Sequence, residues 1–335
     1  MILVTGGTGF VGAHLLFRLL NKKQTVRAIY RNEKKFNTVK RIFSYYTKDA
    51  ETLFNAIDWI EADLNDIPAL TEAFKDVTHV YHCAAFVSFE PDKFDVLQKT
   101  NIEGTANIVN LCISNKTTKL CYISSIAAIG APKPGEITTE DTEWNPEADN
   151  SVYAITKYGA ELEVWRGSQE GLDVVIVNPG VIIGPGIWNY GSGSIIKTAH
   201  NKVKYYTNGS LGCVAVHDVV KAMLLLMDSA IKNERFILVS RNWSYKKLLT
   251  SCAEALAVKP PKKEAKHWLL QIGWRLDWLK HKVTRKRRVL TKQLADSLVS
   301  KSIYNGDKIK AHVDFEYINL ETEIKETCKL YLKDN

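Results

Sequence analysis

The sequence predicts an α/β fold, a doubly wound parallel sheet with a smaller, mostly helical lobe toward the carboxyl end. Three observations predict it. Short apolar runs alternate with amphipathic stretches through the first half, a glycine loop follows the first run, and the alternation lapses near Pro179 before one late return. Apolar runs bounded by polar segments read as strands buried on both faces, which is the habit of parallel sheets covered by helices.

In chain order the strand-like runs lie at 2–4, 25–30, 59–61, 79–83, 120–124 and 174–177. From Pro179 a Gly-rich loop (Gly184, Gly186, Gly191, Gly193) interrupts the pattern, and an apolar run recurs at 235–239. Residues 241–335 carry mostly helical periodicity, broken at Pro260 and Pro261. The division expected is a dinucleotide-binding domain over 1–178, revisited at about 209–240, with 179–208 and 241–335 forming a substrate-binding lobe. Ligands of such sheets bind at the carboxyl ends of the strands.

Composition bounds the function. The chain has 335 residues and 45% apolar content, enough for a buried core. No run approaches the roughly 18 to 20 uncharged apolar residues of a spanning helix. The sequence opens on Met1 and runs at once into a strand, leaving no room for a signal peptide, so a cytoplasmic location is expected. The six cysteines form no C-x-x-C pair and the eight histidines no H-E-x-x-H, so neither a disulfide framework nor a metal is expected. The net charge of +8 is local: residues 256–310 hold 15 Lys or Arg against 4 Asp or Glu. That argues against a nucleic-acid-binding surface and for one basic element.

The first run leads into Gly6, Gly7, Thr8, Gly9, Phe10, Val11 and Gly12, then an apolar helix. Glycines let the backbone approach a pyrophosphate, and the helix amino end offers free N–H groups and a positive dipole end. A dinucleotide is therefore the expected cofactor. At the end of the second run, where an acid usually binds ribose hydroxyls, stands Arg31. A planar guanidinium suits a 2′-phosphate, which favours NADP over NAD. The alternative is a solvated Arg31 paired with Glu33.

Tyr153 and Lys157 are four apart in a helical pattern, so both face the same way. A nearby ammonium favours the phenolate, making the pair a tunable acid and base. With the glycine loop and Ser124-Ser125 at a strand end, the chain resembles the short-chain dehydrogenase/reductase superfamily, extended type. Asp63-Leu64, the stretch ending in Ala84-Ala85, Asn101, Asn178-Pro179-Gly180 and His217-Asp218 match that pattern in order.

The resemblance implies a Rossmann-type fold with Ser125, Tyr153 and Lys157 catalytic. Tyr153 passes the proton, Lys157 holds the nicotinamide ribose and lowers the tyrosine pKa, and Ser125 bonds the substrate oxygen. It implies further that Gly6, Thr8, Gly9, Phe10, Val11, Gly12, Arg31, Asp63, Leu64, Ala84, Ala85, Tyr153, Lys157, Pro179, Gly180 and Val181 line the cofactor. Asn101 would brace the site, while His82 and His217 would be structural. A homodimer is also suggested.

Dehydratases of this superfamily carry an Asp-Glu pair where this chain has Ile126 and Ala127. The stretches around Arg31, Ser125 and Trp144 most resemble the dihydroflavonol reductase and 3β-hydroxysteroid dehydrogenase branch. Reversible reduction of a ketone or aldehyde on a small, fairly apolar substrate is expected. A nucleotide-sugar epimerase and a non-catalytic NADP-sensing protein are the alternatives. Candidates for the substrate pocket are Phe86, Val87, Ser88, Ile187, Trp188 and Tyr190, each of which could instead pack the lobe.

Residues 267–288 combine tryptophans, helical apolar spacing and a basic end. The favoured reading is a lobe helix closing its apolar face over the substrate cavity. The alternative is a weak peripheral membrane contact, with 285–288 drawn to anionic lipid.

Overall fold

Seven parallel strands make the central sheet of the computed structural model, which describes residues 1–132, 135–191, 193–285, 288 and 290–335. They are β1 (Ile2–Thr5), β2 (Val26–Tyr30), β3 (Asp58–Glu61), β4 (His79–His82), β5 (Lys119–Ile123), β6 (Asp173–Pro179) and the edge strand Glu234–Leu238. Their spatial order is Glu234–Leu238, β6, β5, β4, β1, β2, β3. Sequence order thus reverses between β1 and β4, and it is outside the carboxyl ends at such a reversal that these sheets open a crevice.

The strands are apolar because both faces are covered. Val174, Val175, Ile176 and Val177 are fully buried, and alternate residues feed two separate cores. One core joins the sheet to the helices Phe10–Asn21 and Val216–Asp228. The other joins it to Ile67–Ala73, Gly104–Ser114 and Val152–Gln169. The six cysteines are all free, five of them buried.

Beyond β6 the chain builds a three-stranded sheet from Val181–Ile183, Ser210–Ala215 and Arg241–Ser244, under the helices Tyr245–Ala255 and Leu320–Asp334. The return to the main sheet is therefore narrower than 209–240. Ser210–Ala215 pairs within the small sheet, although Val214 reaches the core of the large one, while Val216–Asp228 packs on the large sheet and Glu234–Leu238 joins it. Residues 241–335 also include two short strands, Arg241–Ser244 and Lys263–Glu264, among their helices.

Candidate active site

The glycine loop sits at the carboxyl end of β1. Gly6 has φ +67, and a Cβ there would lie 2.6 Å from the Ala84 amide nitrogen on the neighbouring β4 side. A Cβ on Gly12 would lie 2.2 Å from the Gly6 carbonyl oxygen, so the helix can start close under the loop only with glycine there. Gly9 caps the helix Phe10–Asn21 with no side-chain bond, which leaves first-turn N–H groups, Val11 among them, for a ligand. Thr8 and Phe10 flank that opening, both partly exposed.

Arg31, at the end of β2, is exposed and reaches Asp63 at 3.2 Å. Its partner is thus Asp63 across the sheet rather than Glu33, which accepts from the Tyr30 hydroxyl instead. Burial pushes the Asp63 carboxyl up, but bonds from the Asn65 amide and Arg31 outweigh it and hold it below the usual range. Next to Asp63 a cavity of about 350 Å³ is lined by Asn65, Val96, Lys99 and Thr100. Leu64 is buried and its carbonyl accepts from Asn107.

Across the reversal, the Thr5 hydroxyl bonds His82 at 2.6 Å and accepts from the Ala84 amide at 3.3 Å. Ala85 is exposed. On the far side Pro179 ends β6 opposite Leu238, Gly180 donates to the Leu238 carbonyl, and Val181 starts the small sheet.

The helix Val152–Gln169 begins where Ser151 accepts from the Ala154 amide, which fixes Tyr153 and Lys157 in its first two turns. Ser125 follows β5, and its hydroxyl oxygen accepts from the Ala127 amide at 3.1 Å. That leaves the Ser125 hydrogen free to donate. Burial pushes the Tyr153 phenol up, and the nearby Ser125 hydroxyl works in the opposite direction. The Phe89 ring meets Tyr153 edge-on at 5.5 Å.

Lys157 does something the sequence did not indicate. Its buried ammonium donates to the Tyr122 hydroxyl at 2.6 Å and the Ile123 carbonyl at 2.8 Å. Burial lowers it to about 7, with Glu161 and Cys83 pulling the other way. Two of the lysine's three protons are used, leaving one for a ligand.

Support for Ser125 comes from Asn178, whose motif had no assigned role, and from Glu161 and Arg235. Asn178 donates to the Ser125 carbonyl at 3.0 Å and to Glu161 at 2.8 Å, and Arg235 holds the other Glu161 oxygen at 3.0 Å. Glu161 is four residues past Lys157, on the same helix face, which was the available signal. Asn101, in a π-helical turn, bonds both backbone groups of Phe86 and the Thr156 hydroxyl, tying the loop after β4 to the helix Val152–Gln169.

The pocket candidates divide. Phe86 is half-buried, and Val87 is exposed beside the exposed Phe89. Ile187 is half-buried and Tyr190 exposed. Two are corrected. Trp188 is buried in the lobe core, donating to Asp334 at 2.8 Å with its ring against Tyr331. Ser88 is buried, and its hydroxyl accepts from the Glu90 amide.

His82 is held between the Thr5 and Thr105 hydroxyls, and His217 between Tyr46 and Glu323. Burial lowers both His82 and His14 from 6.5 to about 3. Their folded pKa values lie below the unfolded ones, so the stability they allow is present above pH 6.5 and lost as pH falls toward 3. We expect the urea midpoint to drop over that window, each histidine costing on the order of 2–3 kcal/mol at pH 4. His82→Asn should lessen the drop relative to wild type; an unchanged slope would refute the assignment.

A family model described as the NAD dependent epimerase/dehydratase family matches residues 2–238. A putative dihydroflavonol 4-reductase of Synechocystis sp. is 31% identical over 280 residues, 81% of this chain and 77% of that protein. Sterol demethylase protein B of Methylococcus capsulatus is 29% identical over 251 residues, 74% of this chain and 72% of that one. The crystal structure of gox2253 superposes with a TM-score of 0.81 at 23% identity, covering 100% of this chain and 98% of that chain, which shows the shared fold.

Proposed function

The chain belongs to the NAD dependent epimerase/dehydratase family, and on that premise we propose that it is a reductase passing hydride and proton to a ketone or aldehyde of a fairly apolar substrate. The observation that carries this reading is the placement of Ser125, at the carboxyl end of β5, against Tyr153 in the first turn of the helix Val152–Gln169, beside a glycine loop whose helix has no side-chain cap.

The residues fit a dinucleotide. Side chains at Gly6 and Gly12 would collide with backbone at Ala84 and within the loop itself and push the loop out of shape, and the buried Ser124 hydroxyl at the end of β5 has no hydrogen-bond partner among the described residues. The first-turn N–H groups from Phe10 onward would hold the pyrophosphate, and the spare Lys157 proton the nicotinamide ribose. The bound nicotinamide supplies hydride chemistry.

What this chain's own residues do is move and steady a proton. Ser125, its oxygen occupied by the Ala127 amide, donates to the substrate oxygen and stabilises its developing charge. Tyr153 gives its phenolic proton to the same oxygen. The Asn178–Glu161–Arg235 network keeps the Ser125 backbone in place. Phe89, apolar and exposed beside Tyr153, favours an apolar substrate. Among relatives, a dihydroflavonol 4-reductase and a sterol demethylase protein support the same reading.

NADP is the cofactor we favour. Arg31 stands at the end of β2, and its surface pair with Asp63 is weak enough for a 2′-phosphate to displace. Arg31→Ala should weaken NADPH binding about tenfold or more and leave NADH binding nearly unchanged. A titration showing equal losses for both would remove this preference.

A further inference from the structure

The helix His267–Thr284 has 18 residues and buries none of them, whereas Leu320–Asp334, with 15, buries six. The favoured expectation, that its apolar face closes over the substrate cavity, is therefore corrected. Trp268, Leu269, Ile272, Leu276, Leu279 and Val283 face outward, with Leu276 61% and Val283 78% exposed. At 100° per residue these six fall in one stripe about 100° wide.

The opposite side fastens the helix to the lobe. Gln271 donates to Asp296 at 2.8 Å, Trp274 donates to Gln271 at 2.8 Å, and Asp277 accepts from the Leu290 amide at 3.0 Å. The apolar stripe is thus held outward by polar bonds behind it.

The charges at its margins select the occupant. Arg275 and Lys282 run along one edge and Lys280 along the other, and the one carboxylate of the helix, Asp277, lies on the fastened side. A second copy laid on the stripe would set these basic edges against each other. Arg275 and Lys282 also sit over the Trp274 and Trp278 rings at 4.5 and 4.2 Å, so tryptophan and cation share the boundary of the stripe. Aromatic rings and cations flanking an apolar face suit the headgroup layer of a lipid bilayer. No helix among the described residues is long and apolar enough to cross a membrane. Of the basic end at 285–288, Lys286 and Arg287 lie outside the described residues.

We propose that His267–Thr284 docks this protein in the plane of an anionic lipid surface, its Trp-Leu stripe among the headgroups and Arg275, Lys280 and Lys282 on their phosphates. The surface would lie near the active site. Lys292, just beyond this helix, pairs at 3.2 Å with Asp149, four residues before Tyr153. The proposal is independent of the reductase reading.

Vesicle flotation tests it with the full chain. The protein should float with phosphatidylcholine vesicles containing about one third phosphatidylglycerol at low salt, and at least about tenfold less with phosphatidylcholine alone or in high salt. The Leu276→Asp/Leu279→Asp double variant, at exposed positions, should keep its melting temperature and dinucleotide binding and lose at least about tenfold in vesicle binding. Lys280→Glu/Lys282→Glu should lose binding to the anionic vesicles alone. Absence of flotation at low salt, or flotation indifferent to both variants, would overturn the proposal. So would sedimentation showing a dimer that the leucine variant dissociates, since a second copy would then cover the stripe.

Discussion

Tyr153→Phe should lower kcat on a confirmed carbonyl substrate by about 10²- to 10⁴-fold while leaving KM and dinucleotide affinity near wild type. The substitution removes one oxygen and its proton and keeps the ring that Phe89 meets at 5.5 Å, so the packing of the site survives. The loss falls on kcat because the proton is needed only as charge develops on the substrate oxygen. Ser125 would still donate to that oxygen, which sets the residual rate above the uncatalysed one. Steady-state kinetics on wild type and variant check this, and near-normal turnover in the variant would remove Tyr153 from the chemistry.

Gly12→Ala should cost dinucleotide binding about 100-fold or more. Its Cβ would lie 2.2 Å from the Gly6 carbonyl oxygen, and the obstruction is backbone, which cannot swing aside as a side chain does. Gly6 cannot retreat either, because the β4 side lies against it at Ala84. The helix must therefore move off the loop, displacing the N–H groups we propose for the pyrophosphate. Fluorescence titration with reduced dinucleotide measures this, with a thermal melt alongside to show that the sheet remains folded. Binding within a few-fold of wild type would mean the phosphates lie elsewhere.

Much of this arrangement was legible in the sequence wherever the signal was local. The strands fall within a residue or two of their apolar runs because all but the edge strand β3 are buried among the helices on both faces, and the glycine loop follows from backbone sterics alone. What escaped depends on residues far apart in the chain. Lys157 finds Tyr122, 35 positions away on β5, and Arg31 finds Asp63, 32 positions away, because β2 and β3 end side by side. Trp188 in a glycine-rich loop reads as a pocket wall until Asp334, 146 positions on, takes its N–H. The helix His267–Thr284 is ambiguous for a different reason. Leu270, Trp274 and Trp278 make a second apolar side, so periodicity alone cannot say which face the lobe covers.

The central claim is net transfer of a hydride to a carbonyl carbon with Tyr153 supplying the proton, and isotope tracing tests it most directly. Reduced dinucleotide carrying deuterium at the transferable nicotinamide position is incubated with the enzyme and a carbonyl substrate identified by screening, and the product is read by mass spectrometry. The account predicts an alcohol bearing the label on the former carbonyl carbon, in one-to-one yield with oxidised dinucleotide, formed far more slowly by Tyr153→Phe. A product isomeric with its substrate, formed with no net oxidation of the dinucleotide, would contradict it and return the chain to the epimerases of its family.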